Sequence, residues 1–224
     1  MAGEPMRIGV LALQGAFIEH VKMLNSLEGV SAAAVRTEAE LEGIDGLVIP
    51  GGESTTMGLV AERSGLLPSL RKIIKDAKVP TFATCAGLIM LGDKALHEKD
   101  GGQPLIGGLG VVVDRNYFGT QLRSFEIELD ADPKVLGDGG APCHAMFIRA
   151  PAIVDVTDKA VEVLATLPDE KAGSGSIVVA AQQGHMLVCS FHPELTADTR
   201  WHEYFVSTMV KAKAKGGAAE AAAA

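Results

Sequence analysis

The sequence predicts an α/β fold, a three-layer sandwich in which a mostly parallel central sheet lies between helices. Short, continuously apolar runs alternate with helical patterns between Arg7 and Leu91, which is typical of strand–helix–strand units around a parallel sheet. Parallel strands are buried on both faces, so they lack the polar alternation of a half-exposed strand. The hydrophobic content of 47%, of which aromatic residues are a small part, suits such a core.

The first half of the chain predicts four strands and four helices in alternation. The strands are predicted at Arg7–Leu13, Ala32–Val35, Gly46–Ile49 and Val79–Thr84. The helices are predicted at Phe17–Leu27, Thr56–Arg63, Leu66–Ala77 and Ala86–Leu91. Turn residues follow two of the strands, at Gln14-Gly15 and at Pro50-Gly51-Gly52, as expected where a strand gives way to a helix.

The second half predicts further strands joined by turn-rich segments, which we interpret as an extension of the sheet with added hairpins. The candidates are Gly110–Val113, Phe125–Leu129, Ala145–Ala150, Val161–Leu167, Ser176–Gln182 and Met186–Phe191. A last helix is predicted from about Thr199 to Lys213, before Gly216-Gly217. We expect one domain over residues 1–215 and a disordered tail over 216–224.

Charge and cysteine content exclude several classes of function. The net charge is −8 and no block of Lys and Arg is present, which argues against nucleic acid as a partner. The first apolar run, Ile8–Leu13, is too short for a signal peptide or a membrane span. Three irregularly spaced cysteines predict no disulfide framework and favour a reducing, cytoplasmic location.

Cys85 is the candidate nucleophile. It follows a predicted strand and precedes a predicted helix, with Ala83 two residues before it and Gly87 two residues after it. Small residues at these positions are typical of a nucleophile elbow, a sharp turn that lifts the nucleophile above the sheet. The N-terminus of a helix also stabilises a thiolate through its dipole and free N–H groups. On this segment alone, a buried structural cysteine remains an equal alternative.

His192 and Glu194 are the candidate base and its orienting partner. In an extended chain, residues two apart project to the same side, so the two side chains can meet across Pro193. A carboxylate that accepts from one imidazole nitrogen leaves the other nitrogen to take a thiol proton. The alternative is a solvated ion pair at the end of a strand. The strand-to-helix junction at Cys85 favours the catalytic interpretation.

His185, Cys189 and His192 have a spacing that superficially suits a metal site. On a strand, however, His185 and Cys189 point to one side and His192 to the other, and no tighter cluster of zinc ligands accompanies them. We therefore predict no metal. The remaining histidines are predicted to be surface or structural groups: His20, His97, His144 and His202.

A thiol that attacks an amide needs N–H donors for the oxyanion that develops. The segment from Pro50 to Ser54 follows a strand and precedes a helix, where glycine N–H groups can point into a site. Gly52 and Ala86, the residue after the nucleophile, are the predicted donors. The alternative for the glycines is a plain turn between a strand and a helix.

Six motifs occur in one order over nearly the whole chain: Ala12-Leu-Gln-Gly15, Pro50-Gly-Gly-Glu-Ser54, Thr84-Cys-Ala-Gly87, Arg115-Asn116, Phe147-Ile-Arg-Ala-Pro151 and His192-Pro-Glu194. Together they resemble the glutaminase subunits of pyridoxal 5′-phosphate synthase, which are class I, triad-type glutamine amidotransferases. The Cys and His-x-Glu motifs belong to the whole class, whereas Ala-Leu-Gln-Gly and Phe-Ile-Arg-Ala-Pro are specific to this family. The resemblance implies a flavodoxin-like fold.

The resemblance also implies the activity. Cys85 would attack the carboxamide of L-glutamine, His192 would protonate the leaving ammonia, and a glutamyl thioester would be hydrolysed, with no cofactor. Ammonia would pass to a partner synthase subunit, a (β/α)₈ barrel, and the Gln14-Gly15 segment would face that partner. The implied glutamine-binding residues are Gly52, Glu53, Ser54, Arg115, Ile148 and Arg149; an arginine is the natural partner of the substrate's α-carboxylate.

Two other functions and two departures from the family pattern remain open at this point. The chain could serve a different amidotransferase, which the family-specific motifs disfavour, or be a degenerate binding subunit, which the intact triad disfavours. Thr120 stands where the family usually has arginine, and the segments Leu129–Ala141 and Asp169–Ser176 are longer than expected. None of these positions belongs to the triad, so the departures concern docking to a partner.

Overall fold

The computed structural model describes residues 4–98, 101–119 and 124–212. Thr120 and the predicted tail, 216–224, lie outside the described residues. The twelve described strands are β1 (Met6–Leu11), β2 (Val30–Val35), β3 (Gly46–Ile49), β4 (Thr81–Thr84), β5 (Gly92–Leu96), β6 (Leu109–Asp114), β7 (Ser124–Leu129), β8 (Cys143–Ile148), β9 (Ala152–Val156), β10 (Val161–Pro168), β11 (Ser176–Gln183) and β12 (Met186–Cys189).

Six α-helices accompany the strands in the described part of the chain. They are α1 (Phe17–Asn25), α2 (Ser54–Arg63), α3 (Leu66–Arg71), α4 (Ala86–Leu91), α5 (Pro133–Leu136) and α6 (Arg200–Tyr204). Two π-helical segments, Lys72–Asp76 and Phe205–Val210, continue α3 and α6, and two 3₁₀ turns lie at Ala39–Leu41 and Pro193–Leu195. Within the described ranges, no helix is both long and apolar enough to cross a membrane.

Ten of the strands form one mixed sheet in the order β2-β1-β3-β4-β12-β11-β9-β6-β5, with β10 paired to β11. The first five strands of this order are parallel. The next pairings, from β12 through β11 and β9 to β6, are antiparallel, as expected for an extension of the sheet. β7 and β8 form a separate two-stranded sheet. The carboxyl ends of β1, β3, β4 and β12 therefore lie at one edge, where open α/β sheets hold their ligands.

Helices cover both faces of the large sheet, so the predicted α/β sandwich is confirmed. One apolar cluster includes Leu24 of α1 with Trp201 and Phe205 at the end of the chain. The cluster on the other face includes Met57 of α2 and Leu88 of α4. Burial of these side chains on two sides of one sheet, at roughly 2 kcal/mol or more for each large residue, holds the layers together.

Among the described strands and α-helices, three were not predicted: β5, β9 and α5. β5 contains the exposed Asp93 and Lys94, so it lacks the apolar run of a buried strand. Tertiary packing also altered the ends of predicted helices. The helix predicted at Leu66–Ala77 changes to π geometry at Lys72, and the last helix does so at Phe205.

Candidate active site

Cys85 lies at the sharp turn between β4 and α4. Its backbone has φ 47° and ψ −105°, a region that residues other than glycine rarely adopt and that costs about 1–3 kcal/mol. The Cys85 N–H donates to the Cys189 carbonyl over 2.8 Å, which ties the turn to β12. A Cβ on Gly87 would lie 2.2 Å from the Ile49 carbonyl oxygen, so only glycine permits α4 to start so close to β3. This geometry is that of a nucleophile elbow.

His192 and Glu194 meet as predicted, but through a different backbone. The residues from Pro193 to Leu195 form a 3₁₀ turn rather than an extended strand. The His192 Nδ1 lies 2.7 Å from Glu194 Oε1, with both side chains buried. The His192 N–H donates to the Met146 carbonyl over 2.8 Å, so the end of β8 holds the turn in place. Nδ1 is thus occupied, and Nε2 remains for another partner.

Cys85 lies against the imidazole of His192. Burial alone lowers the pKa of His192, but hydrogen bonding and charge interaction with Cys85 and Glu194 outweigh it and raise this pKa to about 10. The imidazolium form of His192 is therefore favoured, with Cys85 and Glu194 both in contact with the ring. A proton taken from the thiol can be held on His192.

The loop after β3 lies directly over this pair. A Cβ on Gly51 would come within 2.3 Å of His192 Cε1 and 3.2 Å of the Cys85 Cβ, so the backbone itself contacts both side chains. The loop is held from the start of α1: Ala16 N–H donates to the Gly51 carbonyl over 3.1 Å, and Glu53 N–H donates to Gln14 Oε1 over 2.7 Å. Of the predicted donors, Gly52 thus lies in this loop, and Ala86 is the first residue of α4, directly after Cys85.

The structure gives the Glu53 side chain a helix-capping role that sequence reasoning did not identify. Its carboxylate accepts from the N–H groups of Thr55 and Thr56 at the start of α2. Burial alone would raise the pKa of Glu53. The hydrogen bonds from these N–H groups and from the Thr56 hydroxyl outweigh burial and lower this pKa to about 2. Glu53 Oε1 also accepts from Arg115 Nη2 over 3.2 Å. The carboxylate of Glu53, which caps α2, therefore also holds Arg115 beside the loop.

Arg115 is almost buried, and its guanidinium is only partly satisfied. Nη2 also donates to Thr55 Oγ1 over 3.0 Å, whereas Nε has no partner within the described residues. Ser54 is buried at the start of α2 and donates from its hydroxyl to Gln103 Oε1 over 3.1 Å. A partly free arginine fork next to a glycine loop suits a carboxylate ligand.

Ile148 and Arg149 lie where β8 ends, two and three residues after the Met146 carbonyl that binds the His192 N–H. Arg149 has φ 45° and, like Cys85, is a non-glycine residue with strained backbone geometry. Backbone strain of this kind is often found at ligand sites. The structure thus brings the end of β8 to the His192 turn, and it shows no contact of the Arg149 side chain with the triad.

The three residues of the rejected metal hypothesis have separate environments. His185 Nε2 lies 2.6 Å from the Ile74 carbonyl, and burial raises the pKa of the Cys189 thiol well above its usual range. Among the residues that the structure describes, no group of three or more His, Cys, Asp or Glu side chains could hold a metal ion. His97 and His144 are exposed and pair with acidic residues.

Sequence reasoning missed the position of His20. It was grouped with surface or structural histidines, but it is fully buried and its Nε2 lies 3.3 Å from Glu194 Oε2. A signal was present: His20 and Leu24 are four residues apart on α1, hence on one face, and that face is buried. His202, also fully buried, lies behind it.

An elbow cysteine, a histidine and a carboxylate at the carboxyl ends of a parallel sheet define a class: α/β proteins equipped for nucleophilic attack by a thiol. A model of the SNO glutamine amidotransferase family matches residues 10–211, and the chain belongs to this family. The family resemblance found in the motifs, and the prediction of an enzyme of the glutamine amidotransferase class, are thereby confirmed.

Similar proteins carry consistent names. The probable pyridoxal 5′-phosphate synthase subunit PDX2 of Arabidopsis thaliana is 44% identical, with 90% of this chain and 85% of that protein covered. The pyridoxal 5′-phosphate synthase subunit PdxT of Corynebacterium jeikeium (strain K411) is 48% identical, with 92% and 97% covered. A crystal structure described as a glutamine amidotransferase is 42% identical and has a TM-score of 0.76, with 89% of this chain and 97% of that chain covered.

Proposed function

We propose that the chain hydrolyses L-glutamine to glutamate and ammonia through a triad of Cys85, His192 and Glu194. The observation that carries the proposal is the pair of contacts made by His192: Glu194 Oε1 lies 2.7 Å from Nδ1, and Cys85 lies against the ring. Glu194 fixes the tautomer, so Nε2 can exchange a proton with the thiol. A degenerate binding subunit would have no need of this arrangement.

The geometry supports a two-step reaction. The Cys85 thiolate attacks the carboxamide carbon, and the oxyanion accepts hydrogen bonds from the Gly52 and Ala86 N–H groups. The tetrahedral intermediate collapses as His192 donates a proton to the amide nitrogen, releasing ammonia and leaving a glutamyl thioester. His192 then takes a proton from water, which attacks the thioester, and glutamate and the free thiol are regenerated.

Binding of glutamine is assigned to groups around the Gly51 loop. Arg115 would hold the α-carboxylate with the donor capacity that Glu53, Thr55 and the His97 carbonyl leave unused. The backbone from Gly52 to Ser54 and the end of β8, Ile148 and Arg149, would enclose the rest of the molecule. Glu53 contributes through its backbone and through the support of Arg115, since its carboxylate caps α2.

We further propose that ammonia passes to a partner synthase subunit with a (β/α)₈ barrel. The relatives in Arabidopsis and Corynebacterium are themselves named as subunits of pyridoxal 5′-phosphate synthase, which supports a partner of this kind. Gln14 and Ala16 hold the Gly51 loop by hydrogen bonds, so a partner that contacts the start of α1 can act on the oxyanion site. A cytoplasmic location suits this role, because a reducing environment keeps a thiol nucleophile free.

The test is ammonia and glutamate release from L-glutamine, measured with and without the candidate synthase subunit, with L-asparagine as the control substrate. Equal amounts of the two products from glutamine, with none from asparagine, are expected. Absence of hydrolysis under both conditions contradicts the proposed activity. Hydrolysis at one rate whether or not the synthase is present contradicts the proposed partner and leaves the glutaminase proposal standing.

Gly51→Ala is expected to lower glutamine turnover by about a hundredfold, since a displacement of about 1 Å at reacting groups has effects of this size. The added Cβ would lie 2.3 Å from His192 Cε1, so the ring has to move away from Cys85. Gly173→Ala is the matched control, because a Cβ there meets no atom within 4 Å. Turnover and melting temperature of both variants are measured. Equal turnover in the two variants contradicts the proposed contact.

Arg115→Lys is expected to raise the KM for glutamine by about tenfold, with a smaller effect on kcat, because lysine keeps the charge but loses the fork that pairs with a carboxylate. Steady-state kinetics separate the two parameters. Arg63→Lys, at the exposed end of α2, is the control. A lower kcat at unchanged KM contradicts carboxylate binding and makes Arg115 a support for Glu53 alone.

A further inference from the structure

Three buried polar side chains, Glu194, His20 and His202, lie in a row that leads from the proposed triad into the protein core. Glu194 Oε1 is bound by His192, but Oε2 forms no hydrogen bond of good geometry within the described part of the chain. Nε2 of His20 lies 3.3 Å from Oε2, and both side chains are fully buried. The Nδ1 of His20 lies 2.8 Å from His202 Nε2. Burying a carboxylate at such a site is costly unless a donor reaches it.

We propose that His20 is a positioning residue that donates its Nε2–H to Glu194 Oε2, and that His202 selects the tautomer of His20 that can do so. The proposal rests on the proposed triad chemistry and adds a residue from α1 to it. His20 touches neither substrate nor thiol. It acts through Glu194, which it holds as an oriented carboxylate for His192.

The hydrogen bonds available to each tautomer of His20 favour the one protonated at Nε2. If His20 carried its proton on Nδ1, its bare Nε2 would face the carboxylate oxygen lone pair to lone pair, and His202 would have to protonate its own Nδ1, which has no partner in the described residues. A buried N–H without an acceptor is strongly disfavoured. If the proton of His20 is on Nε2, His202 donates from its Nε2 to His20 Nδ1. The atom left without a partner is then the unprotonated Nδ1 of His202. Thr84 Oγ1 lies 3.2 Å from His20 Nε2 with the better hydrogen-bond geometry, so in this tautomer it shares the Nε2–H with Glu194 Oε2. In the other tautomer the Thr84 hydroxyl would be the donor to the bare Nε2.

Both histidines are neutral in this arrangement. Burial first, and then the nearby His202 and His192, lower the pKa of His20 well below its usual value, and burial lowers the pKa of His202 to about 3. The titratable groups that face Glu194 are His192 on its own turn, His20 on α1, and Cys85 and Cys189 at the ends of β4 and β12. Near neutral pH, His192 is the cation that the carboxylate stabilises.

Two substitutions of His20 distinguish the role of Nε2 from the role of Nδ1. The amide of glutamine places its N–H near the position of Nε2, whereas asparagine reaches only the position of Nδ1. His20→Gln therefore keeps a donor for Glu194, and His20→Asn removes it. Without the donor, charge on Glu194 is harder to maintain, the imidazolium of His192 loses stabilisation, and the Cys85 thiolate forms only at higher pH.

The readout is the rate at which iodoacetamide alkylates Cys85, followed by peptide mass spectrometry between pH 5 and 10. We expect the acid limb of His20→Asn to lie about one pH unit above that of His20→Gln, which stays close to the unsubstituted protein. Melting temperatures are measured alongside. Equal acid limbs in the two variants, whatever their stability, overturn the proposal. Alkylation needs no glutamine turnover, so failure of the proposed function is detected separately by the ammonia assay.

A second measurement is made on the unsubstituted protein and uses a variant only to assign signals. Nitrogen-15 labelling of the six histidines reports which ring nitrogen carries the proton, and His20→Gln identifies the signals of His20. The proposal expects a neutral ring protonated at Nε2 from about pH 6 to 9. A ring protonated at Nδ1, or an imidazolium in that range, overturns it.

Discussion

Replacing Cys85 with alanine is expected to abolish ammonia release from L-glutamine and to leave the chain folded. The thiol is the only group at the elbow that can form the glutamyl thioester, and loss of a nucleophile typically lowers turnover by about 10⁴-fold or more. Folding is preserved because alanine is smaller than cysteine, and the strained φ of 47° is already borne by a residue with a Cβ. The measurement is ammonia release at saturating glutamine.

Cys143→Ala is the matched control for this substitution. Cys143 is also buried, and burial raises the pKa of its thiol, but it lies on β8 against Trp201 and away from His192. We expect this variant to keep its turnover while losing some stability, as core truncations do. Comparable loss of activity in both variants, at comparable melting temperatures, removes Cys85 as the nucleophile.

The parallel half of the sheet was predictable because its strands carry their own signal. β1, β3 and β4 are mainly apolar and buried over most of their length, and turn residues or the elbow follow them, so local pattern and tertiary position agree. β5 was not predictable, because it pairs with β6 while exposing Asp93 and Lys94. Its strand conformation comes from the partner strand and not from its own side chains.

The residues of the proposed triad could be located from short motifs, since His192 and Glu194 are two residues apart and Cys85 lies at a recognisable turn. The contacts that support these residues were not predictable from the sequence. Arg115 meets Glu53 across 62 residues, and His20 meets His202 across 182. Contacts at such separations are set by how the layers pack, and the helical spacing of His20 indicated burial without naming its partner. The 3₁₀ turn at Pro193–Leu195 was also not predictable from the local sequence, which suggested an extended segment.

Replacing His192 with asparagine is expected to lower glutamine turnover by about 10³-fold or more, because triad members act as a unit. Asparagine can reproduce the bond from Nδ1 to Glu194, so the 3₁₀ turn and the buried carboxylate stay satisfied. It has no equivalent of Nε2, so no group accepts the thiol proton or returns one to ammonia. His144→Asn, at an exposed histidine on β8, is the control.

Alkylation of Cys85 distinguishes this loss of proton transfer from a general disturbance of the site. His192, with its pKa raised to about 10, is a cation at neutral pH and stabilises the thiolate beside it. Without that cation, the thiolate forms only as the pH approaches the range of an ordinary thiol, so alkylation at pH 7 falls by about tenfold. If turnover falls but alkylation at pH 7 does not, His192 serves the substrate or the leaving group and does not activate the thiol. In that case the charge on the imidazole, and with it the role assigned to Glu194, has to be reconsidered.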